Sequence, residues 1–117
     1  MERKTKGLLG ELKAEIWFVV NEYEVYKPSN DNATYDMLVV KNGVVSRVSV
    51  KSTSVKTATN KWSVELRNIS RRNDGDINIR QFDNTTVDLL VVYIIPEDRI
   101  TVIDAKTIVA KNAVLVV

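Results

Sequence analysis

With no histidine and no cysteine in its 117 residues, this chain can carry chemistry only through carboxylates, lysine, hydroxyls or a hard, oxygen-bound metal. His-metal sites, thiolate zinc sites, cysteine nucleophiles and Ser-His triads are all excluded. One stretch brings suitable groups together. Asn42-Gly43 sits between two apolar runs, the strongest short-range signal for a two-residue hairpin turn. That turn makes Lys41 face Val44, Leu38 face Arg47 and Asp36 face Ser49. Opposed residues hold their Cβ atoms roughly 4.5–5.5 Å apart. Lys51, two residues beyond Ser49, shares its face, while Val48 and Val50 point to the other face and into the core. An acid, a hydroxyl and a lysine therefore meet at one end of a hairpin. A carboxylate at a strand start beside a lysine can hold a hard divalent metal and orient a water. An Asp-Lys ion pair at a sheet end is the purely structural alternative, worth about 0–1 kcal/mol if exposed.

Charge is distributed unevenly. The stretch from Lys41 to Arg72 holds eight bases (Lys41, Arg47, Lys51, Lys56, Lys61, Arg67, Arg71 and Arg72) against the single acid Glu65, a net +7. The remainder has nine bases against fourteen acids, a net −5, so the overall +2 conceals a basic half. Such an asymmetry is an electrostatic footprint for a polyanion, most commonly nucleic acid. A solvated, lysine-studded hairpin would show the same composition.

The elements that must position these groups can be read in order. Thr5 to Glu22 has the pattern of an amphipathic helix, with Leu8, Leu9, Leu12, Ile16, Val19 and Val20 on one arc expected to face the core and Thr5 as a possible cap. Gly7, Gly10 and Ala14 fall on another face, where they would admit a close neighbour. Two helix glycines cost about 1 kcal/mol each relative to alanine, so they need a reason. Tyr23 to Lys27 reads as a short strand before Pro28, and Ser29 to Thr34 as loop. The hairpin strands are Tyr35 to Lys41 and Val44 to Lys51, and Trp62 to Asn68 is a further strand. Ser70 to Asp83 is polar and reads as a long loop or a short helix. Val87 to Ile95 is apolar throughout, a strand buried on both faces. Ile100 to Asp104 is the last clear strand, and the stretch from Ala105 onward is open between helix and strand. The sum is one α/β domain over residues 1–117 with a mixed, largely antiparallel sheet. Its longest apolar run, Leu89 to Pro96, is far short of the roughly 20 residues of a membrane span, and the charged N-terminus has no secretory core. A cytoplasmic protein without a membrane partner is expected.

The order KGLLGE (Lys6 to Glu11), DNATYD (Asp31 to Asp36) and SVK (Ser49 to Lys51) resembles the PD-(D/E)XK nuclease superfamily. It is most similar to the small endonucleases encoded in group I introns and, less closely, to archaeal Holliday junction resolvases. VKSTS followed by KWSVELRN looks like the family's lysine strand, basic loop and next strand, and VDLLVVYIIPEDRITVI like its later strand pair. The resemblance implies a restriction-endonuclease-like core, with an N-terminal helix packed on a central mixed sheet of about five strands. It implies a Mg²⁺-dependent DNA endonuclease, with Mn²⁺ as a possible substitute. The implied site is Glu11 and Asp36 as anionic metal ligands, the Val50 backbone carbonyl as another, position 49, and Lys51 as the group that orients or deprotonates water. Lys56, Lys61, Arg67, Arg71 and Arg72 would grip DNA phosphates. The implied partner is double-stranded or branched DNA, and the implied assembly a homodimer or higher homo-oligomer.

Position 49 departs from the family pattern, because serine stands where glutamate, aspartate or glutamine is expected. A serine hydroxyl is short and neutral and would reach a metal through water. The departure leaves three readings: a weaker site, a relocated ligand such as Glu15 or Glu65, or a DNA-binding protein that no longer cleaves. Trp62 beside Lys61 suits either base stacking or core packing. Asp74-Gly75-Asp76 suggests a calcium loop, but the further ligand positions do not follow.

Overall fold

The computed structural model describes residues 1–30, 33–71 and 75–117, apart from the side chains of Ser70 and Arg71. Helix α1 (Arg3–Val20) opens the chain, followed by β1 (Glu24–Tyr26), β2 (Met37–Lys41), β3 (Val44–Thr53), β4 (Val55–Lys56) and β5 (Trp62–Glu65). Then come β6 (Asn68–Arg71), β7 (Ile77–Arg80), β8 (Leu89–Ile94), β9 (Arg99–Asp104) and β10 (Ala113–Val116). Single turns of 3-10 helix stand at Ile95–Glu97 and Ala105–Thr107. The central sheet has five strands in the order β1-β2-β3-β8-β9. It is mixed, because β8 runs parallel to β3 while the other neighbours are antiparallel. A smaller sheet of order β10-β5-β4 and the β6–β7 ribbon complete the architecture.

Asn42 and Gly43 take φ of 52° and 77°, as a type I′ hairpin turn requires. The pairing that follows matches the sequence reading: Lys41 faces Val44, Leu38 faces Arg47 and Met37 faces Val48. Beyond the last paired residues, Met37 and Val48, the Asp36 N–H donates to the Val48 carbonyl at 2.8 Å, so Asp36 shares Val48 with Met37 and the regular register stops short of an Asp36–Ser49 pair. Val48 is buried under α1 with Ala14, Phe18, Met37, Val39 and Val91, and Val50 packs against the same cluster. On the other face of the sheet Leu90, Val92 and Ile94 meet Trp62, Val64, Leu66, Ile108 and Val116. Strand β8 thus contributes to both cores, as its unbroken apolar sequence predicts.

The helix docks on the face opposite to the one its sequence advertises. Its buried residues are Gly10, Ala14 and Phe18, whereas Leu8, Leu12, Ile16, Val19 and Val20 are exposed, Ile16 by 57% and Val20 by 73%. Close approach is the reason. A Cβ at Gly10 would run into the Ser52 hydroxyl, which donates to the Lys6 carbonyl at 2.9 Å. Small residues let the helix backbone lie directly on β3 and β8, and that contact decides the phase over the broader leucine stripe. The helix also begins at Arg3, with Glu2 before it and no side-chain cap, so Thr5 is not the capping residue.

Two further expectations change. Ser70 to Asp83 holds neither a long loop nor a helix among its described residues, for β6 and β7 pair antiparallel, with Asn68 opposite Arg80 and Ile69 opposite Ile79. The strand read as Trp62 to Asn68 ends at Glu65, and Asn68 already belongs to the ribbon. The C-terminal stretch resolves into both possibilities, a 3-10 turn and then β10, which pairs with β5.

The reversed helix phase has a measurable consequence. In urea melts, Phe18→Ala should cost about 3–5 kcal/mol, while Ile16→Gln should fall within about 0.5 kcal/mol of wild type. The opposite ranking would mean that the leucine stripe is the one facing the sheet.

Candidate active site

Alternation along β3 puts Ser49 and Lys51 on the sheet face opposite the one where Val48 and Val50 pack under α1, and Asp36 stands just before the first residue of β2, where β3 runs on beside β8. Asp36 is held by its own carboxylate, whose Oδ2 accepts the Val50 N–H at 2.7 Å. That bond replaces the ladder bond β2 would have made one residue further on. Lys51 donates its Nζ to the Asn68 side-chain carbonyl at 2.8 Å. Asp36 and Lys51 interact electrostatically, each favouring the other's charged form. From the helix comes Glu11, next to the close-packed Gly10, and it lines one cleft together with Asp36, Lys27 and Tyr35. Ser49 and Lys51 line a second cleft of about 360 Å³ with Asn68, Asn78 and Arg80. Ala33 borders both.

Burial sets the electrostatics. It raises the Asp36 pKa above the ordinary carboxylate value, against the opposing pull of the Val50 N–H, Lys51 and Lys27. Burial also raises Glu11, the Asp36 charge adds to that, and Lys27 opposes it. Lys51 is lowered, again chiefly by burial, with Asp36 and Glu65 resisting and Arg3 assisting. All three groups are therefore held where their charged forms are under-solvated, a pattern that clusters at functional sites. Two incompletely neutralised carboxylates provide hard oxygen donors suited to a divalent cation. Magnesium commonly takes one or two carboxylates and fills its remaining positions with water and substrate phosphate oxygens. The donor set fits such an ion.

The two acids considered as relocated ligands are otherwise engaged. Glu15 pairs with Lys27 at 3.1 Å, and Glu65 forms a two-pronged pair with Arg67 at 2.7 and 3.2 Å. Among the described residues no third histidine, cysteine, aspartate or glutamate joins Glu11 and Asp36.

Several described bases of the segment are already engaged within the fold. Arg47 is paired with Asp88 at 3.1 Å, Lys41 donates to the Asn21 carbonyl, and Arg67 is taken by Glu65. Lys56 lies over the Trp62 ring at 5.2 Å, and Lys61 is exposed at the start of β5. Trp62 is buried, with its indole N–H bonded to Glu97, so it packs rather than stacks on a ligand. Asp31, Arg72, Asp74 and the side chain of Arg71 lie outside the described residues. Sequence reading missed Asn68, the hydrogen-bond partner of Lys51, together with Asn78 and Arg80. The alternation Ile77-Asn78-Ile79-Arg80 was the available signal, since it marks a strand with a polar face.

The PD-(D/E)XK endonuclease family profile matches residues 1–117. The chain belongs to the PD-(D/E)XK endonuclease family. Among solved structures it is similar to a bacterial homing endonuclease, I-Ssp6803I, with a TM-score of 0.83 and 20% identity over all of this chain and 79% of the other. At that identity the likeness establishes the fold, a restriction-endonuclease-like helix on a five-stranded mixed sheet. No curated protein matches in sequence. Among the described residues no helix is long and apolar enough to cross a membrane.

The raised acids make a stability prediction with a definite sign. A carboxyl whose folded pKa lies above its unfolded value favours folding at low pH and loses that contribution as pH rises through the folded pKa. Glu11→Gln removes a group that burial and Asp36 both disfavour as an anion. It should unfold at higher urea than wild type at pH 7, with the gap closing as the pH falls through the raised pKa and gone below 4.5. A variant less stable than wild type at pH 7 would contradict the electrostatics described.

Proposed function

We propose that this chain is a divalent-metal-dependent endonuclease that hydrolyses phosphodiester bonds at specific sites in double-stranded DNA. The observation that carries the reading is the meeting of Asp36 and Glu11 in one cleft, with Asp36 held by the Val50 N–H next to Lys51, in a chain matched over its full length by an endonuclease family. The homing endonuclease with the same fold favours site-specific cleavage over indiscriminate nicking.

In this reading Glu11 and Asp36 would hold Mg²⁺ or Mn²⁺, and the Val50 carbonyl would be a further oxygen donor. When bound, the ion supplies Lewis-acid polarisation of the phosphate and a lowered pKa for its water. Asp36 is fixed by the Val50 N–H, which leaves its other carboxylate oxygen available as a donor to a cation. Lys51, fixed by Asn68, orients the attacking water and stabilises the charge that develops on the phosphate. Its lowered pKa makes it a better proton acceptor near neutrality than an exposed lysine. Ser49 lines the same cleft as Lys51 and can orient a water, but it brings no charge. Lys56, Lys61, Arg67, Arg71 and Arg72 supply the attraction for backbone phosphates, Arg67 on exchanging Glu65 for DNA. Cutting both strands of a duplex calls for two copies related by a two-fold axis.

A second reading, a DNA-binding member of the fold that has lost cleavage, is favoured by the lack of a third carboxylate at the described site. One assay separates the two. Supercoiled plasmid, linear duplex and a four-way junction are incubated with Mg²⁺ or Mn²⁺, with binding measured in parallel. The endonuclease reading expects metal-dependent nicking that Lys51→Ala abolishes and Ser49→Gln or Ser49→Glu raises at least about tenfold, roughly 1.4 kcal/mol on the barrier. Binding with no cleavage in any metal would favour the second reading. Preferential cutting of the junction would move the substrate to branched DNA. Wild-type cleavage that both Ser49 variants slow would show that position 49 is not a gap in the ligand set.

A further inference from the structure

The β6–β7 ribbon has two unlike faces, and the polar one is turned toward the site. Asn68 opposes Arg80 and Ile69 opposes Ile79, so alternation puts Asn68, Asn78 and Arg80 on one side and Ile69, Ile77 and Ile79 on the other. The polar set lines the cleft that contains Ser49 and Lys51. The ribbon is a two-stranded sheet of its own, paired with neither larger sheet. It is nevertheless tethered to the site by the 2.8 Å bond between Asn68 and the Lys51 Nζ.

Arg80 and Asn78 stand there with their hydrogen-bonding capacity unused. Arg47, Arg67 and Arg99 are each held by a carboxylate. Among the described residues, no hydrogen bond or ion pair occupies the side chain of Arg80 or Asn78. Both are exposed. A free guanidinium and a free amide suit bidentate contacts, arginine with guanine O6 and N7 and asparagine with adenine N6 and N7. Residues two apart on a strand are separated by about 6.8 Å, close to two base steps at about 3.4 Å each. The DNA major groove, about 12 Å wide, admits a two-stranded ribbon.

We propose that the β6–β7 ribbon is the sequence-reading element of this chain, with Arg80 and Asn78 contacting base edges in the major groove beside the phosphate that Lys51 approaches. The proposal rests on the nuclease reading and deepens it, because Asn68 ties the reading surface to the cutting residue and so fixes the offset between recognised bases and the cut. Arg80 selects guanine and Asn78 selects adenine about two base pairs away.

The test is selection of bound duplexes from a randomised pool by the full-length chain, with salt dependence of binding measured on one selected and one unselected duplex. Wild type should recover a motif with guanine and adenine about two positions apart. Arg80→Ala should lose the guanine preference, at least about tenfold, and Asn78→Ala the adenine preference. Arg80→Lys keeps the charge but not the fork, so it should lose the preference while retaining affinity for the unselected duplex. Retention of the guanine preference in Arg80→Lys and Arg80→Ala would overturn the proposal. So would equal weakening on both duplexes with the salt slope reduced by about one, the signature of a phosphate contact. Recovery of duplexes without any motif would overturn sequence reading while leaving a non-specific nuclease intact. Failure of wild type to retain any duplex would overturn the nuclease reading and this proposal together.

Discussion

The hydrogen bond from the Val50 N–H to the Asp36 carboxylate, 2.7 Å long, is the contact on which the candidate site turns. Regular β2–β3 pairing stops at Met37 and Val48, and at the adjoining residue the Asp36 side chain takes the place of backbone in the ladder. A carboxylate fixed in this way cannot swing into solvent. Its position relative to Lys51, one residue beyond Val50, is set by β3 itself rather than by a flexible loop. Strand β3 is held in turn by six paired residues of β8, and β8 is buried from both sides by two apolar clusters. The rigidity of the site is thus inherited from the most deeply buried strand of the sheet.

The same arrangement works against the stability of its own charges. Glu11 and Asp36 are pushed up and Lys51 down, each chiefly by burial, so the fold by itself disfavours the ionisation states that metal and substrate would favour. Carboxylates under-solvated in this way gain more from a divalent ion than exposed ones would. A fold with two substantial cores can tolerate such a site, because hydrophobic burial elsewhere supplies the offsetting free energy. The tight seat of α1 is part of this: Gly10 permits the helix to approach closely enough for Glu11 to share a cleft with Asp36.

Much of this was legible in the sequence, for identifiable reasons. The hairpin was readable because Asn42-Gly43 admits few backbones and the turn then dictates the opposed pairs from Lys41–Val44 to Met37–Val48. The seat of Asp36 was not, because its N–H bonds to Val48 instead of continuing the register. Strand β8 was readable from its unbroken run of large aliphatics. The phase of α1 was not, because hydrophobic periodicity weighs leucines above glycine and alanine, while the sheet selected the face that allowed closest contact. The β6–β7 ribbon was hidden by its polarity: Asn78 and Arg80 look like loop residues unless the alternation with Ile77 and Ile79 is given more weight. Pairing could not be read either, since Arg67 was counted among free cations although Glu65 stands two residues away and neutralises it.

The central claim is that Asp36, Glu11 and the β3 backbone around Val50 form one cation site. Paramagnetic broadening by Mn²⁺ in an amide ¹H–¹⁵N spectrum tests it without requiring turnover. Substoichiometric Mn²⁺ should selectively broaden the amides of Glu11, Asp36, Val50 and Lys51, and the effect should disappear in Asp36→Asn. Broadening centred elsewhere, or unchanged by that substitution, would contradict the account.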